Sequence, residues 1–98
     1  MEKHVPHTRL AIVKQLIRSG RIRMMRLAAE GAEALQLSFQ QVCLILLNLT
    51  GEDFYKSVTS YADHRIWQDV YRPLLSGRRL YLKIAVREDL LVVSFREK

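Results

Sequence analysis

The second half of this chain, residues 54–98, is constrained by a hydrophobic pattern that repeats every two residues. Apolar, aromatic and β-branched side chains alternate there with polar and basic ones, as they do in a β-sheet with one covered face. The pattern predicts four strands, over residues 55–60, 66–72, 79–86 and 90–95. Because the links between them are short, we expect the strands to pair antiparallel in sequence order. Pro73 should end the second strand, since it has no N–H to donate.

The first half of the chain has helical periodicity instead. A first helix is predicted over residues 8–19, with Thr8 as its N-cap and Gly20 just beyond its end. Residues 27–35 are rich in alanine and glutamate and predict a short second helix. Between them, residues 21–26 alternate basic and apolar side chains, which is compatible with a short strand or an extended connector.

A third predicted helix opens with a capping-box pattern at Ser38 and continues to residue 49. It is apolar on most sides, so we expect it to be the central helix of the core. Cys43, the only cysteine, lies within it and is expected to be a buried free thiol in a reducing cytoplasm.

The chain is expected to form one domain, residues 1–98, since its length and its 49% of hydrophobic residues allow one modest core. Its longest apolar run, residues 42–47, is far shorter than the ~20 residues of a membrane helix. The first ten residues lack the apolar segment of a signal peptide. These features predict a cytoplasmic protein without membrane contact.

Short turns between the strands predict one polar and one apolar face. A two-residue turn at residues 88–89 would set Tyr81 opposite Arg96, and short loops would set Gln68 opposite both Lys56 and Tyr81. The polar face would then carry a row of four side chains with two flanking cations: Lys56, Gln68, Tyr81 and Arg96, flanked by Arg72 and Lys83.

The opposite face is expected to be apolar and to receive the helices. Its predicted members are Trp67, Tyr55, Tyr71, Leu80, Leu82, Ile84, Leu91, Val93 and Phe95. The fold class that follows is α+β, with N-terminal helices packed on one face of a C-terminal antiparallel sheet.

Charge is distributed unevenly along the sequence. Residues 1–26 carry a net charge of +6, residues 27–53 carry −4 and residues 54–98 carry +4. Two basic segments indicate a polyanionic partner such as nucleic acid, although small basic proteins are common and the charges can simply serve solubility.

No metal or cofactor is expected. The three histidines, His4, His7 and His64, lack the spacing of zinc ligands, and the chain has no phosphate-binding glycine-rich loop. What remains is a set of cations and a phenol on a sheet, which suits cleavage of RNA by its own 2′-hydroxyl group. Tyr55, Tyr61 and Trp67 offer stacking surfaces for unpaired bases. The same polar residues are also ordinary on a solvated sheet face, so the pattern alone leaves a non-catalytic nucleic-acid-binding regulator open, as well as a subunit that acts only through a partner.

Five segments resemble the MqsR family of bacterial type II toxins, which are mRNA interferases. They are PHTRL, DFYKS, HRIWQDVYRP, YLKI and VSFREK, in this order along the whole chain. The resemblance implies a RelE-like, microbial-RNase-like fold and metal-independent, ribosome-independent cleavage of single-stranded mRNA at GC-containing sites such as GCU. It also implies an MqsA-like antitoxin partner, through which operator DNA would be reached only indirectly.

The resemblance also implies the active-site residues. Lys56, Gln68 and Tyr81 match the family, and Arg96 stands where the best-known member has a lysine. Lys56 is expected to be the general base or the main electrostatic element, and Tyr81 a general acid or a hydrogen-bond donor to phosphate. Gln68 would position the phosphate or a base, and Arg96 would stabilise phosphate charge, because arginine is very hard to deprotonate. Tyr55, Arg72 and Lys83 are expected to be further RNA contacts.

Overall fold

The computed structural model describes all 98 residues, and its sheet accounts for most of the second half of the chain. Three helices and seven strands follow one another in this order: β1 (Glu2–Lys3), α1 (Leu10–Arg18), β2 (Ile22–Met24), α2 (Arg26–Ala34), α3 (Phe39–Leu47), β3 (Phe54–Thr59), β4 (Trp67–Tyr71), β5 (Leu74–Leu75), β6 (Arg78–Arg87) and β7 (Asp89–Glu97). A single 3₁₀ turn, Gly51–Asp53, leads into β3. The predicted α+β class, with N-terminal helices and a C-terminal sheet, is confirmed.

The sheet has the strand order β1-β3-β4-β6-β7-β2, and β5 pairs separately with β6. The four predicted strands correspond to β3, β4, β6 and β7, and they pair antiparallel in sequence order as expected. The basic and apolar segment that could have been a connector is β2, which pairs parallel with β7. The two-residue strands β1 and β5 were not predicted, because two residues are too few to show a period.

Local capping chemistry explains the start of α3 and the end of α1, whereas α1 and α2 begin without a side-chain cap. The Ser38 side chain accepts a hydrogen bond from the Gln41 backbone N–H at 3.2 Å, and the Gln41 side-chain oxygen accepts one from the Ser38 N–H at 2.7 Å. Gly20 has a φ of 75°, the left-handed conformation that ends α1. Thr8 was predicted to cap α1, and this prediction is wrong. Arg9 holds the N-cap position, and its side chain makes no capping hydrogen bond.

The helix α3 is only partly central, which corrects the prediction for it. Val42 and Leu46 are buried, but Phe39 is 47% exposed and Leu44 is 58% exposed. Cys43 is half-buried, and this partial burial raises the pKa of its thiol. The apolar character on every side of α3 was therefore not evidence of complete burial.

The core lies between the helices and one face of the sheet. Fourteen buried residues form it: Val13, Ile17, Ala28, Ala32, Val42, Leu46, Leu49, Tyr71, Leu80, Leu82, Ile84, Leu90, Val92 and Phe95. Five of the nine residues predicted for the apolar face are among them, namely Tyr71, Leu80, Leu82, Ile84 and Phe95.

Leu91 and Val93 were assigned to the wrong face, and the hairpin β6–β7 explains why. Arg87 pairs directly with Asp89, so the turn is one residue tighter than predicted, and Leu90 and Val92 point into the core. The register then shifts between Lys83 and Ile84, where Val93 is the extra residue of a β-bulge. Beyond the bulge the predicted pairs are found, Leu82 with Phe95 and Tyr81 with Arg96.

A strap that joins β1 to α1 is tied to the sheet by a buried carboxylate. Asp69 is 3% exposed, and its oxygens accept hydrogen bonds from the backbone N–H groups of His7 (2.9 and 3.1 Å) and Thr8 (3.0 Å). The His7 ring stacks on Trp67 at 5.8 Å between ring centroids. Trp67 is thereby covered on the helical side of the sheet and does not offer the free stacking surface expected for it.

We expect Gly31→Ala to destabilise the fold by about 1–3 kcal/mol or more, because a methyl group at this point of α2 would overlap the Phe95 carbonyl oxygen on β7. Urea unfolding would show a lower midpoint with an unchanged slope. Gly51→Ala is the matched control, since no atom lies within 4 Å of its added methyl group, and its effect should stay within about 0.5 kcal/mol. Equal midpoints for the two variants would contradict the close helix–sheet contact.

We expect Asp69→Ala to cost about 1–3 kcal/mol, because the partly buried N–H groups of His7 and Thr8 would lose their acceptor. Hydrogen exchange at these two amides should become faster in the same variant. Asp63→Ala is the control, since Asp63 pairs with Arg65 in an exposed loop and its removal should barely move the midpoint. Unchanged protection of the two amides in Asp69→Ala would refute the role of Asp69 as the anchor.

Candidate active site

The sheet face opposite the helices collects four cationic side chains, and we call it the cationic face. It carries Lys56, Arg72, Lys83 and Arg96, together with the polar side chains of Gln68 and Tyr81. A row of directly paired residues crosses four strands of this face. Val70 pairs with Lys56 on one side and with Lys83 on the other, and Lys83 pairs with Ser94. Side chains directly opposite one another in a sheet share a face, so both lysines point to the same side. Val70 is fully buried between them, which places their aliphatic stems over it.

Two of the predicted pairs in the row are wrong. Gln68 pairs with Val58 and not with Lys56, because the β3–β4 connection is longer than predicted and Thr59 already pairs with Trp67. Gln68 is also not opposite Tyr81, because the β4–β6 connection contains the small β5 hairpin.

Gln68 and Tyr81 therefore lie at opposite ends of the cationic face. Tyr71 pairs with Leu82, so Gln68 falls level with Ala85, four residues along β6 from Tyr81. At the usual rise per residue this is about 13 Å along the strand. Lys56 and Lys83 occupy the middle, and Tyr81 and Arg96 form one end. The structure brings Lys56, Lys83, Tyr81 and Arg96 together and leaves Gln68 apart from Tyr81.

Tyr55 belongs to the cationic face and not to the apolar face predicted for it. The register shifts between Phe54 and Lys56, so Tyr55 is the extra residue of a bulge. Its ring is 44% exposed, with the Arg72 guanidinium 4.4 Å and the Lys56 ammonium 5.2 Å from the ring centroid. Tyr61 is fully exposed in the β3–β4 loop, outside this face.

Arg96 and Tyr81 form a second cation–aromatic pair. The Arg96 guanidinium carbon lies 4.4 Å from the centroid of the Tyr81 ring, and the two residues are directly paired across β6 and β7. This contact holds a permanent positive charge beside the phenol. An anion that reaches Tyr81 therefore also meets Arg96.

Sequence reasoning missed one charged member of this site, Glu2. The short strand β1 pairs Glu2 with Val58, which puts its carboxylate on the same face, 3.7 Å from the Lys56 ammonium. No sequence signal pointed to this contact, since β1 has only two residues.

Lys83 has the opposite environment. It is half-buried, and its ammonium group makes neither an ion pair nor a hydrogen bond. Burial lowers the pKa of its ammonium, and the neighbouring charges of Arg96 and Lys56 lower it further. The environment of Lys83 therefore favours the neutral amine more than water does.

The fold contains neither a cluster of potential metal ligands nor a helix that could span a membrane. No three or more His, Cys, Asp or Glu side chains come together in a group that could hold a metal ion. None of the three helices, each of nine residues, is long and apolar enough to cross a membrane.

Comparison with known proteins gives two concordant matches. A family model described as "Motility quorum-sensing regulator, toxin of MqsA" matches residues 5–97. The protein named mRNA interferase toxin MqsR of Escherichia coli (strain K12) is 52% identical over 98 residues, and the match covers 100% of both chains. The family expected from the sequence motifs is confirmed: this chain belongs to the MqsR toxin family.

Proposed function

We propose that the protein is the toxin of a type II toxin–antitoxin pair and an endoribonuclease that cleaves single-stranded mRNA. The observation that carries this proposal is the cationic face, where Lys56, Lys83 and Arg96 share one open sheet face with the phenol of Tyr81. The relative from Escherichia coli is named an mRNA interferase toxin, which supports the same activity. Cleavage of mRNA would stop translation and growth.

The proposed reaction is attack of the ribose 2′-hydroxyl on the adjacent phosphorus. The negative charge that develops on the phosphate oxygens needs fixed positive charge, which Lys56 and Arg96 supply without a metal ion. We assign to Tyr81, beside Arg96, the donation of a proton to the departing 5′-oxygen. Because DNA has no 2′-hydroxyl, it would bind to this face without being cut.

The remaining residues of the face would hold the strand. Tyr55 lies flat under Arg72 and is partly exposed, so an unpaired base can stack on the same ring system. The backbone of Gln68 is about 13 Å from that of Tyr81 along the strand direction, at the opposite end of the cationic face. We assign Gln68 to a neighbouring nucleotide, as a contact to a base or to a second phosphate.

The finer properties of the family are proposed for this chain as well. They are a preference for GC-containing sites such as GCU, action without the ribosome, a cytoplasmic location and neutralisation by an MqsA-like antitoxin. The family model's own description, a toxin of MqsA, supports the partner. Operator DNA would be contacted only through that antitoxin.

Incubation of the purified chain with single-stranded RNA containing GCU sites, in EDTA, tests the activity. We expect cuts at GC sites that leave 2′,3′-cyclic phosphate and 5′-hydroxyl ends, because the attacking oxygen comes from the RNA itself. DNA of the same sequence should remain intact. Folded, antitoxin-free protein that binds the RNA and leaves it uncut would support the other candidate, a non-catalytic basic regulator.

We expect Tyr81→Phe to slow single-turnover cleavage by about 10²–10⁴-fold, because it removes the proton that stabilises the leaving oxygen. RNA affinity should change less than about threefold, since the ring and its contact with Arg96 remain. Tyr61→Phe, in the exposed loop, is the matched control and should cleave at the parent rate. Parent-like cleavage by Tyr81→Phe would remove the phenol from the mechanism.

A further inference from the structure

We propose that Lys83, and not Lys56, is the general base that takes the proton from the attacking 2′-hydroxyl group. This inference rests on the proposed ribonuclease activity and assigns one step of it. The sequence motifs pointed to Lys83 only as a further RNA contact. Its place in the sheet and the charges around it give it a different role.

The position of Lys83 is central. It lies in the same cross-strand line as Lys56, separated from it only by Val70, so the two Cα atoms are two strand spacings, about 10 Å, apart. Tyr81 is two residues along the same strand and therefore on the same face. Lys83 and Tyr81 are thus about 7 Å apart along the strand, a spacing that a base and an acid on either side of one phosphorus can have.

The four cations differ in whether they can become neutral. Arg72 and Arg96 are guanidinium groups and stay charged in proteins. Lys56 has the Glu2 carboxylate 3.7 Å away as an ion-pair partner. Lys83 has no such partner. Lys83 is therefore the lysine of this face that has no carboxylate to hold its proton.

The groups that face Lys83 come from every neighbouring strand. They are Lys56 from β3 with Glu2 from β1 behind it, Arg72 from β4, Arg96 from β7, and Tyr81 from its own strand. The only carboxylate among them is already paired with Lys56. Burial and the positive charges of Arg96 and Lys56 lower the pKa of Lys83, in agreement with this geometry.

The proposed cleavage transfers two protons and replaces one phosphorus–oxygen bond with another. The neutral Nζ of Lys83 accepts the 2′-hydroxyl proton as the 2′-oxygen forms its bond to phosphorus. The bond from phosphorus to the 5′-oxygen breaks, and that oxygen takes the phenol proton of Tyr81. The products are a 2′,3′-cyclic phosphate and a 5′-hydroxyl. Proton exchange with water returns the Lys83 ammonium and the Tyr81 phenolate to their starting states.

The first test is Lys83→Arg, which keeps the positive charge and removes the proton acceptor. We expect single-turnover cleavage of the GCU-containing RNA to fall by about 10²–10⁴-fold, with RNA affinity within about threefold of the parent. A general base must be neutral to accept a proton. The cleavage rate of the parent protein should therefore rise with pH, through an apparent pKa below the ordinary lysine value of 10.5. Lys83→Arg should lack this rise, and Lys56→Arg should retain it.

The controls separate this inference from the proposed function. Lys14→Arg, on helix α1 beyond the core, makes the same chemical change away from the face and should cleave like the parent. In Lys83→Ala, added ethylamine should restore part of the rate, in proportion to the fraction of amine that is neutral. An inactive parent protein would overturn both proposals, whereas an active parent with an equally active, equally pH-dependent Lys83→Arg would overturn only this one.

A second measurement needs no RNA. Nitrogen-15 NMR of the five lysine side chains would follow each ammonium group during a pH titration of the intact protein. We expect the Lys83 resonance to titrate below the other four. A Lys83 side chain that titrates at or above 10.5 would overturn the inference whatever the cleavage rates are.

Discussion

The pairing of β6 with β7 is the interaction on which the rest of this structure depends. These are the two longest strands, and they lie between β4 and the edge strand β2. On one face the pair of Leu82 and Phe95 is buried under the helices, and Phe95 is also where Gly31 of α2 makes its closest approach. On the other face the neighbouring pair of Tyr81 and Arg96 forms one end of the cationic face. Core and site are thus two sides of the same hairpin, so a change in its register would disturb both.

A face that gathers four cations opposes folding, because like charges repel and a half-buried ammonium is poorly solvated. The fold compensates through the other side of the sheet, where fourteen buried residues form a continuous core. It also compensates locally, since Glu2 pairs with Lys56 while Arg72 and Arg96 lie on aromatic rings. Lys83 alone receives no such support. An unsupported charge is a cost to stability, and a cost of this kind is found most often where chemistry needs it.

Which face each residue occupies could be predicted from the sequence better than which residue lies opposite it. Both errors in the β3–β4 and β4–β6 registers are shifts by an even number of residues, so Lys56, Gln68 and Tyr81 remained on the predicted face. Bulges shift the pattern by one residue, and they moved Leu91 and Tyr55 to the other face. The length of a loop and the position of a bulge depend on tertiary packing, which a period-two pattern does not contain. The contact of Glu2 with Lys56 could not be predicted for the same reason.

The geometry explains how the arginine at position 96 affects its neighbour Lys83. In the sequence it was a departure from the lysine of the best-known family member, and a loss of activity would follow if that position had to carry a proton. In the structure Arg96 is the first of the two charges that lower the pKa of Lys83. A guanidinium keeps its charge at every pH at which Lys83 could titrate, whereas a lysine there could lose its own proton in the same range. Arginine at this position therefore favours the neutral form of Lys83, in keeping with the proton transfer proposed for Lys83 and Tyr81.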